Sequence, residues 1–216
     1  KYDVLLIADE VMTGMGRVGR WFAIEEWGVT PDIITLAKGI SGGYLPLSAM
    51  AARGDLVELV WSKLGDFNHG GTFSHQPVAA MAGLATLRYL EQHRLIERAR
   101  EIGEVLGRKL HRAFDDHPHV GDVRGRGLMW AIELVADRRT NDPFPRSHRL
   151  YARVASKAFD DGLIVYAMGG CADGRLGAHV MISPPLVVQE AELDEIIAKL
   201  RVAVDAAISE IPTQEP

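Results

Sequence analysis

The sequence predicts an α/β protein in which the end of an α/β domain is followed by a smaller α+β domain. Three observations carry this reading. Two short apolar runs, Val4 to Ala8 and Ile33 to Ala37, are separated by a helix-length piece, the pattern of buried strands in an α/β sheet. Apolar residues then recur at three- and four-residue steps from Leu95 to Ala113, which marks an amphipathic helix long enough to bridge two domains. Beyond that helix, strand-like and helix-like segments alternate to the C-terminus. The expected division is residues 1–108 for the C-terminal part of the larger domain and 109–216 for the smaller one.

Each element has a local reason. Val4-Leu5-Leu6-Ile7-Ala8 has the length and composition of a buried strand and delivers Asp9 and Glu10 to its end. A Gly-rich loop at residues 14–19 and an aromatic-containing segment, Trp21 to Trp27, lead to the second run, which Lys38 closes. A helix begins at Pro77, after the turn-like His75-Gln76, and carries Leu84, Leu87 and Leu90. The amphipathic helix, with Leu95, Ala99, Ile102, Leu106, Leu110 and Ala113 on one face, stops near Asp115-Asp116-His117-Pro118. A strand follows at Leu128 to Val135, then a polar loop from Asp137 to His148 and a helix from Arg149 to Asp161. A short strand at Leu163 to Tyr166 precedes a final helix with Leu193, Ile196, Ile197, Leu200, Val204 and Ile208 on one face. A domain seldom begins mid-sheet, so the sequence reads as the C-terminal part of a longer protein.

Composition narrows the function classes. Of 216 residues, 47% are hydrophobic and 25% charged, the proportions of a globular protein. With 29 acidic against 24 basic residues, the charge of −5 gives no electrostatic case for a nucleic-acid or membrane partner. No apolar stretch reaches the roughly 18 residues of a membrane span. Cys171 stands alone and forms no internal disulfide, so a reducing, cytoplasmic setting is expected. The basic residues comprise 18 Arg and only six Lys, and of these Lys38 alone closes an apolar run.

Ligands of open α/β sheets bind at the carboxyl ends of strands, where Asp9 and Lys38 both fall. An amine and a carboxylate at one sheet edge suit pyridoxal phosphate chemistry. The lysine forms a Schiff base with a carbonyl cofactor, and the carboxylate keeps a heteroaromatic nitrogen protonated so that the ring accepts electrons. Taken singly, Asp9 reads equally well as a turn cap and Lys38 as a side chain snorkelling to solvent. Together, with the Gly-rich stretch after Lys38, they favour the chemical reading.

At this point a family resemblance is plain. Asp9-Glu10-Val11-Met12-Thr13-Gly14-Met15-Gly16-Arg17 resembles the acidic motif of class III pyridoxal-phosphate aminotransferases. Pro31-Asp32-Ile33-Ile34-Thr35-Leu36-Ala37-Lys38-Gly39 resembles their lysine motif, followed by Gly42-Gly43-Tyr44-Leu45-Pro46-Leu47. In order along the chain, His69-Gly70-Gly71-Thr72-Phe73-Ser74 is similar to the phosphate-contacting segment, Val123-Arg124-Gly125-Arg126-Gly127-Leu128 to the small-domain entry, and Ser183-Pro184-Pro185-Leu186 to the substrate loop.

The resemblance implies fold type I, a pyridoxal 5'-phosphate cofactor and a homodimer with shared active sites. It implies that Lys38 carries the Schiff base and moves the substrate α-proton, that Asp9 pairs with the pyridinium nitrogen, and that Val11 packs on the ring. Thr72 is implied to contact the cofactor phosphate of the neighbouring subunit; on residue type alone it is a threonine in a turn. The implied reaction moves an amino group from an amine or ω-amino acid to pyruvate or another 2-oxo acid. A related aminomutase, or an enzyme-like remnant without turnover, is the alternative.

Departures refine the expectation. Met12 stands where many glutamate-using members have Gln, and Met181 where many have a carboxylate-binding Arg. Arg175, in Asp173-Gly174-Arg175-Leu176-Gly177, resembles the mobile arginine of the amine:pyruvate branch and would pair bidentately with a substrate carboxylate; a solvated loop charge explains it as well. The family's phosphate loop lies before its acidic motif, so this chain by itself is expected to bind the cofactor weakly or not at all. Other chemistries fit less well. Gly14-Met15-Gly16-Arg17-Val18-Gly19 satisfies the dinucleotide G-x-G-x-x-G but starts too far beyond the strand. The P-loop ATPase reading lacks G-x-x-x-x-G-K-[ST] and leaves Lys38 unexplained. His117-Pro118-His119 is a weak metal candidate without further ligand spacing, so no metal is expected.

Overall fold

The computed structural model describes residues 4–211, and the chain divides into two compact units, Lys1–Ala99 and Arg100–Pro216. In the first unit, β1 (Ile7–Asp9) runs parallel to β2 (Ile33–Leu36), and β3 (Ala49–Ala52) pairs antiparallel on the other side of β2. Two helices follow, α1 (Gly54–Leu64) and α2 (Pro77–Gln92). Proline at the first position of α2 begins that helix where it was expected, because its missing N–H has no partner to lose there.

The first unit corrects two expectations. The strand read as buried is only three residues long and alternates, with Ala8 inward and Ile7 59% exposed. A strand buries both faces only where a layer covers each, and these residues cover one. Neither β3 nor α1 was expected. Ala49-Met50-Ala51-Ala52 is composed of good helix formers, yet the unpaired edge of β2 recruits it as a strand. Arg53, just before α1, is clamped by Asp32 and Asp55, which ties the helix start to the start of β2.

The second unit is a four-stranded antiparallel sheet in the order β4-β5-β7-β6, with β4 Val120–Arg126, β5 Met129–Leu134, β6 Tyr166–Gly169 and β7 Ala178–Ile182. The long helix α3 (Leu95–Phe114) spans the division between the units. Helix α4 (Leu150–Asp160) packs on β6, β7 and α5 (Glu190–Ser209). The core consists of Leu106, Leu110 and Phe114 of α3, Ile132 and Leu134 of β5, Val180 of β7, Val154 of α4, and Leu193, Leu200 and Val204 of α5. Of the faces read for α3 and α5, Leu95, Ala99, Ile102, Leu106, Leu110, Leu193, Ile197, Leu200 and Val204 are buried, while Ala113, Ile196 and Ile208 are half-buried.

Close approach explains two glycines of α3. A Cβ on Gly103 would lie 2.2 Å from the Gly127 carbonyl oxygen, and one on Gly107 would lie 2.3 Å from the Trp130 ring. The helix therefore sits directly on the β4–β5 hairpin. That hairpin turns at Gly127 (φ 53°), within the motif read as the small-domain entry.

Strands β4 and β7 were not anticipated as strands; glycines and charges interrupt the first. The strand expected at Leu163 to Tyr166 begins where it was thought to end. Residues 162–165 are spent leaving α4: Gly162 is left-handed (φ 76°), and the Leu163 amide returns to the Ala158 carbonyl at 2.8 Å.

His117, the centre of the weak metal motif, is 3% exposed and has both ring nitrogens engaged. Nδ1 accepts the His119 amide at 3.0 Å, so the proton resides on Nε2, 2.9 Å from Asp205 Oδ1 of α5. Burial pushes its pKa below the ordinary 6.5, against the opposing pull of Asp205. The unfolded chain therefore takes up a proton as pH falls through 6.5 while the folded chain resists it, and stability falls in that window. Urea unfolding at about pH 7 and about pH 5 should show this loss in the natural sequence and a smaller one in His117→Gln.

Candidate active site

Asp9 and Thr35 are register partners on the parallel strands β1 and β2, so both strands end at one edge. The Asp9 carboxylate accepts the Val11 amide at 3.0 Å, which sets it in the turn immediately after β1. Thr35 Oγ1 approaches the same oxygen at 3.5 Å. The side chain of Asp9 is exposed and Val11 is half-buried.

Glu10 has a different role from its neighbour. It is 3% exposed, its Oε1 accepts the Ile24 amide at 2.8 Å, and its other oxygen accepts the Thr13 hydroxyl. It thus pins the loop after β1 and is a structural carboxylate. Its amide donates to the Thr35 carbonyl at 3.0 Å and extends the β1–β2 ladder. The Gly-rich stretch from Gly14 to Gly19 is a series of turns rather than the start of a helix, unlike a dinucleotide fingerprint.

Lys38 follows β2 by two residues and opens a short 3-10 segment, Lys38–Ser41, closed by Gly42 in the left-handed region. Lys38 itself has φ 45°. A β-carbon disfavours that region by about 1–2 kcal/mol, and such strain persists only where the surroundings enforce it. Three contacts enforce it here. A Cβ on Gly39 would lie 2.9 Å from Met15 Cβ, so the loop after β1 abuts the residue after the lysine. Ser41, 1% exposed, donates from Oγ to the Leu45 carbonyl at 2.6 Å. Behind the segment, α2 approaches so closely that a Cβ on Gly83 would lie 3.4 Å from the Ile40 carbonyl.

The Lys38 side chain is exposed and makes no ion pair with a described residue, whereas Lys109, Lys157 and Lys199 are each paired with carboxylates. An exposed amine and an exposed carboxylate at a shared strand edge can hold an aromatic aldehyde bearing a basic ring nitrogen. The sequence identified both residues but gave no sign of the backbone strain at Lys38, which depends on Met15 and α2.

Thr72 lies elsewhere, in an exposed turn between α1 and α2, and its hydroxyl has no partner among the described residues. In the second unit, Arg175 is exposed on the loop between β6 and β7. The Asp173 carboxylate shapes that loop by accepting the amides of Arg175 at 2.8 Å and Leu176 at 2.6 Å, which lowers its pKa. Met181 is half-buried on β7 opposite Ala131, and Met12 is 42% exposed. Burial first and the Glu133 carboxylate second push the Cys171 thiol pKa up. Among the described residues no group of His, Cys, Asp and Glu has the arrangement of a metal site, and no helix is long and apolar enough to cross a membrane.

The family described as aminotransferase class-III matches residues 1–204. An aminotransferase of Gibberella zeae is 41% identical over 209 residues, 96% of this chain and 41% of that protein. The putrescine–pyruvate aminotransferase of Pseudomonas aeruginosa is 36% identical over 206 residues, 95% of this chain and 43% of that protein. The crystal structure of the omega transaminase from Pseudomonas jessenii in complex with PMP superimposes with a TM-score of 0.86 at 36% identity, covering 96% of this chain and 45% of that one. The chain thus spans less than half the length of each.

Proposed function

Since the chain belongs to the class III aminotransferases, a pyridoxal-phosphate family of fold type I, we propose that the complete protein is a transaminase moving an amino group from an amine or ω-amino acid to pyruvate or another 2-oxo acid. The observation that carries this is Lys38, held left-handed and unpaired at the sheet edge it shares with Asp9. The first unit is the C-terminal part of the cofactor domain and the second the small domain. When bound, the cofactor supplies an electrophilic carbonyl carbon and a ring that accepts electrons.

The residues divide the remaining work. Lys38 Nζ would attach the cofactor and, once displaced by the donor amine, would carry the proton between the substrate α-carbon and the cofactor. The Asp9 carboxylate keeps the ring nitrogen protonated, and the Val11 amide keeps that carboxylate aimed. Val11 packs on one ring face. In a homodimer Thr72 would bind the cofactor phosphate of the second subunit, and Arg175 would orient the substrate carboxylate.

The test is covalent mapping. The complete protein, loaded with pyridoxal 5'-phosphate and reduced with borohydride, is digested and its modified peptide sequenced. Modification at Lys38 is the expected result. Modification at any other lysine removes the assignment.

A further inference from the structure

Six non-glycine residues among those described have a left-handed backbone: Met15, Lys38, His75, Arg94, Asn141 and Arg149. All but Met15 are exposed. Met15 is 6% exposed and has φ 57°. It stands in a Gly-rich loop whose Gly16 and Gly19 take positive φ at no steric cost, so glycine would serve the turn better at position 15 as well. A buried side chain kept at a strained position points to work for the side chain itself.

That side chain meets the residue after Lys38. A Cβ on Gly39 would lie 2.9 Å from Met15 Cβ and 3.4 Å from Met15 Cγ, with the next neighbour, the Gly14 carbonyl oxygen, at 3.8 Å. Two left-handed residues, Met15 and Lys38, are thus coupled through one contact. Met15 has little freedom to retreat. Its amide donates to the Trp21 carbonyl at 2.8 Å, and the Gly14 amide donates to the Glu10 carbonyl at 3.0 Å. Glu10, itself buried, holds the far side of the loop by accepting the Ile24 amide at 2.8 Å and the Thr13 hydroxyl. The chain that leaves β1 at Asp9 therefore returns as a braced loop against the segment that Lys38 opens.

We propose that Met15 is a positioning residue for Lys38: its Cβ and Cγ press on Gly39 and hold the lysine backbone left-handed, which sets the direction in which the lysine side chain leaves the strand end. This role rests on the proposed function, in which Lys38 Nζ bonds the cofactor carbonyl carbon with loss of water, and adds to it the group that aims the lysine. Without the Met15 side chain, Gly39 gains room and Lys38 relaxes towards an ordinary backbone conformation. Returning it to the bonding geometry then weakens the bond by a factor of about five or more.

Two forms of the cofactor separate aim from folding. Pyridoxal 5'-phosphate is held by the lysine bond as well as by its ring and phosphate, whereas pyridoxamine 5'-phosphate, with an amine in place of the aldehyde, is held by ring and phosphate alone. The readout is the ratio of their affinities for the complete protein. Met15→Gly keeps the left-handed turn and removes only the side chain. It should lower the preference for the aldehyde form by about fivefold or more and leave the affinity for the amine form within about twofold. Met15→Leu, which retains Cβ and Cγ, should keep the natural ratio. Gly39→Ala should clash with Met15 and also lower the ratio. Combining Met15→Gly with Gly39→Ala moves the methyl group to the other side of the contact and should recover part of the loss. Equal weakening of both cofactor forms, an unchanged ratio in Met15→Gly, or no recovery in the double variant would each overturn the proposal. Lys38→Ala should abolish the preference. If it does so while Met15→Gly keeps the natural ratio, the positioning role alone is overturned; if Lys38→Ala keeps the natural ratio, the lysine assignment of the proposed function falls and this role falls with it.

Discussion

Replacing Lys38 with alanine is expected to lower the transamination rate of the complete protein by at least about 10³-fold, since one change removes both a nucleophile and a proton carrier. Lys38→Arg should fail as badly, because a guanidinium stays protonated and cannot serve as a base. Added methylamine should restore part of the activity of Lys38→Ala, a recovery that a merely structural lysine would not show. The fold should not suffer. The side chain is exposed and the backbone is left-handed, so Lys38→Gly should raise stability by up to about 1 kcal/mol while abolishing turnover. Activity retained in Lys38→Ala would sink the mechanism, and a large loss of stability in Lys38→Gly would show that the strain is absent.

The largest expected effect on stability is that of Phe114→Ala, about 3–5 kcal/mol. Phe114 closes α3, is 0% exposed, and lies with its ring centroid 6.2 Å from that of His117 and 5.8 Å from the Arg201 guanidinium carbon. Removing the ring leaves a cavity among α3, the α3–β4 corner and α5, where neighbours can collapse only in part. It also uncovers one side of a histidine whose two nitrogens are already committed. Phe159 on α4 is the control: it is 67% exposed, and Phe159→Ala should change stability by less than about 0.5 kcal/mol. Chemical denaturation of both variants gives the comparison. A Phe114→Ala cost near that of Phe159→Ala would contradict the packing described for α3.

What the sequence determined by itself was local. The spacing of Asp9 and Lys38 from their apolar runs put both at strand ends, because strand direction and length follow from a few covalent neighbours. The faces of α3 and α5 were legible because a helix repeats every 3.6 residues and buries one stripe. The remainder depended on neighbours distant in sequence. Ala49–Ala52 became a strand because β2 offered an unpaired edge, against its helical composition. Glu10 became a buried staple, and not a second acid at the site, because Thr13 and the Ile24 amide returned to it. Lys38 acquired its left-handed backbone from Met15 and α2. Periodicity and spacing describe what a residue does to its own segment; pairing along a strand edge and enforcement of strain are properties of contacts between segments, and only the tertiary structure holds those.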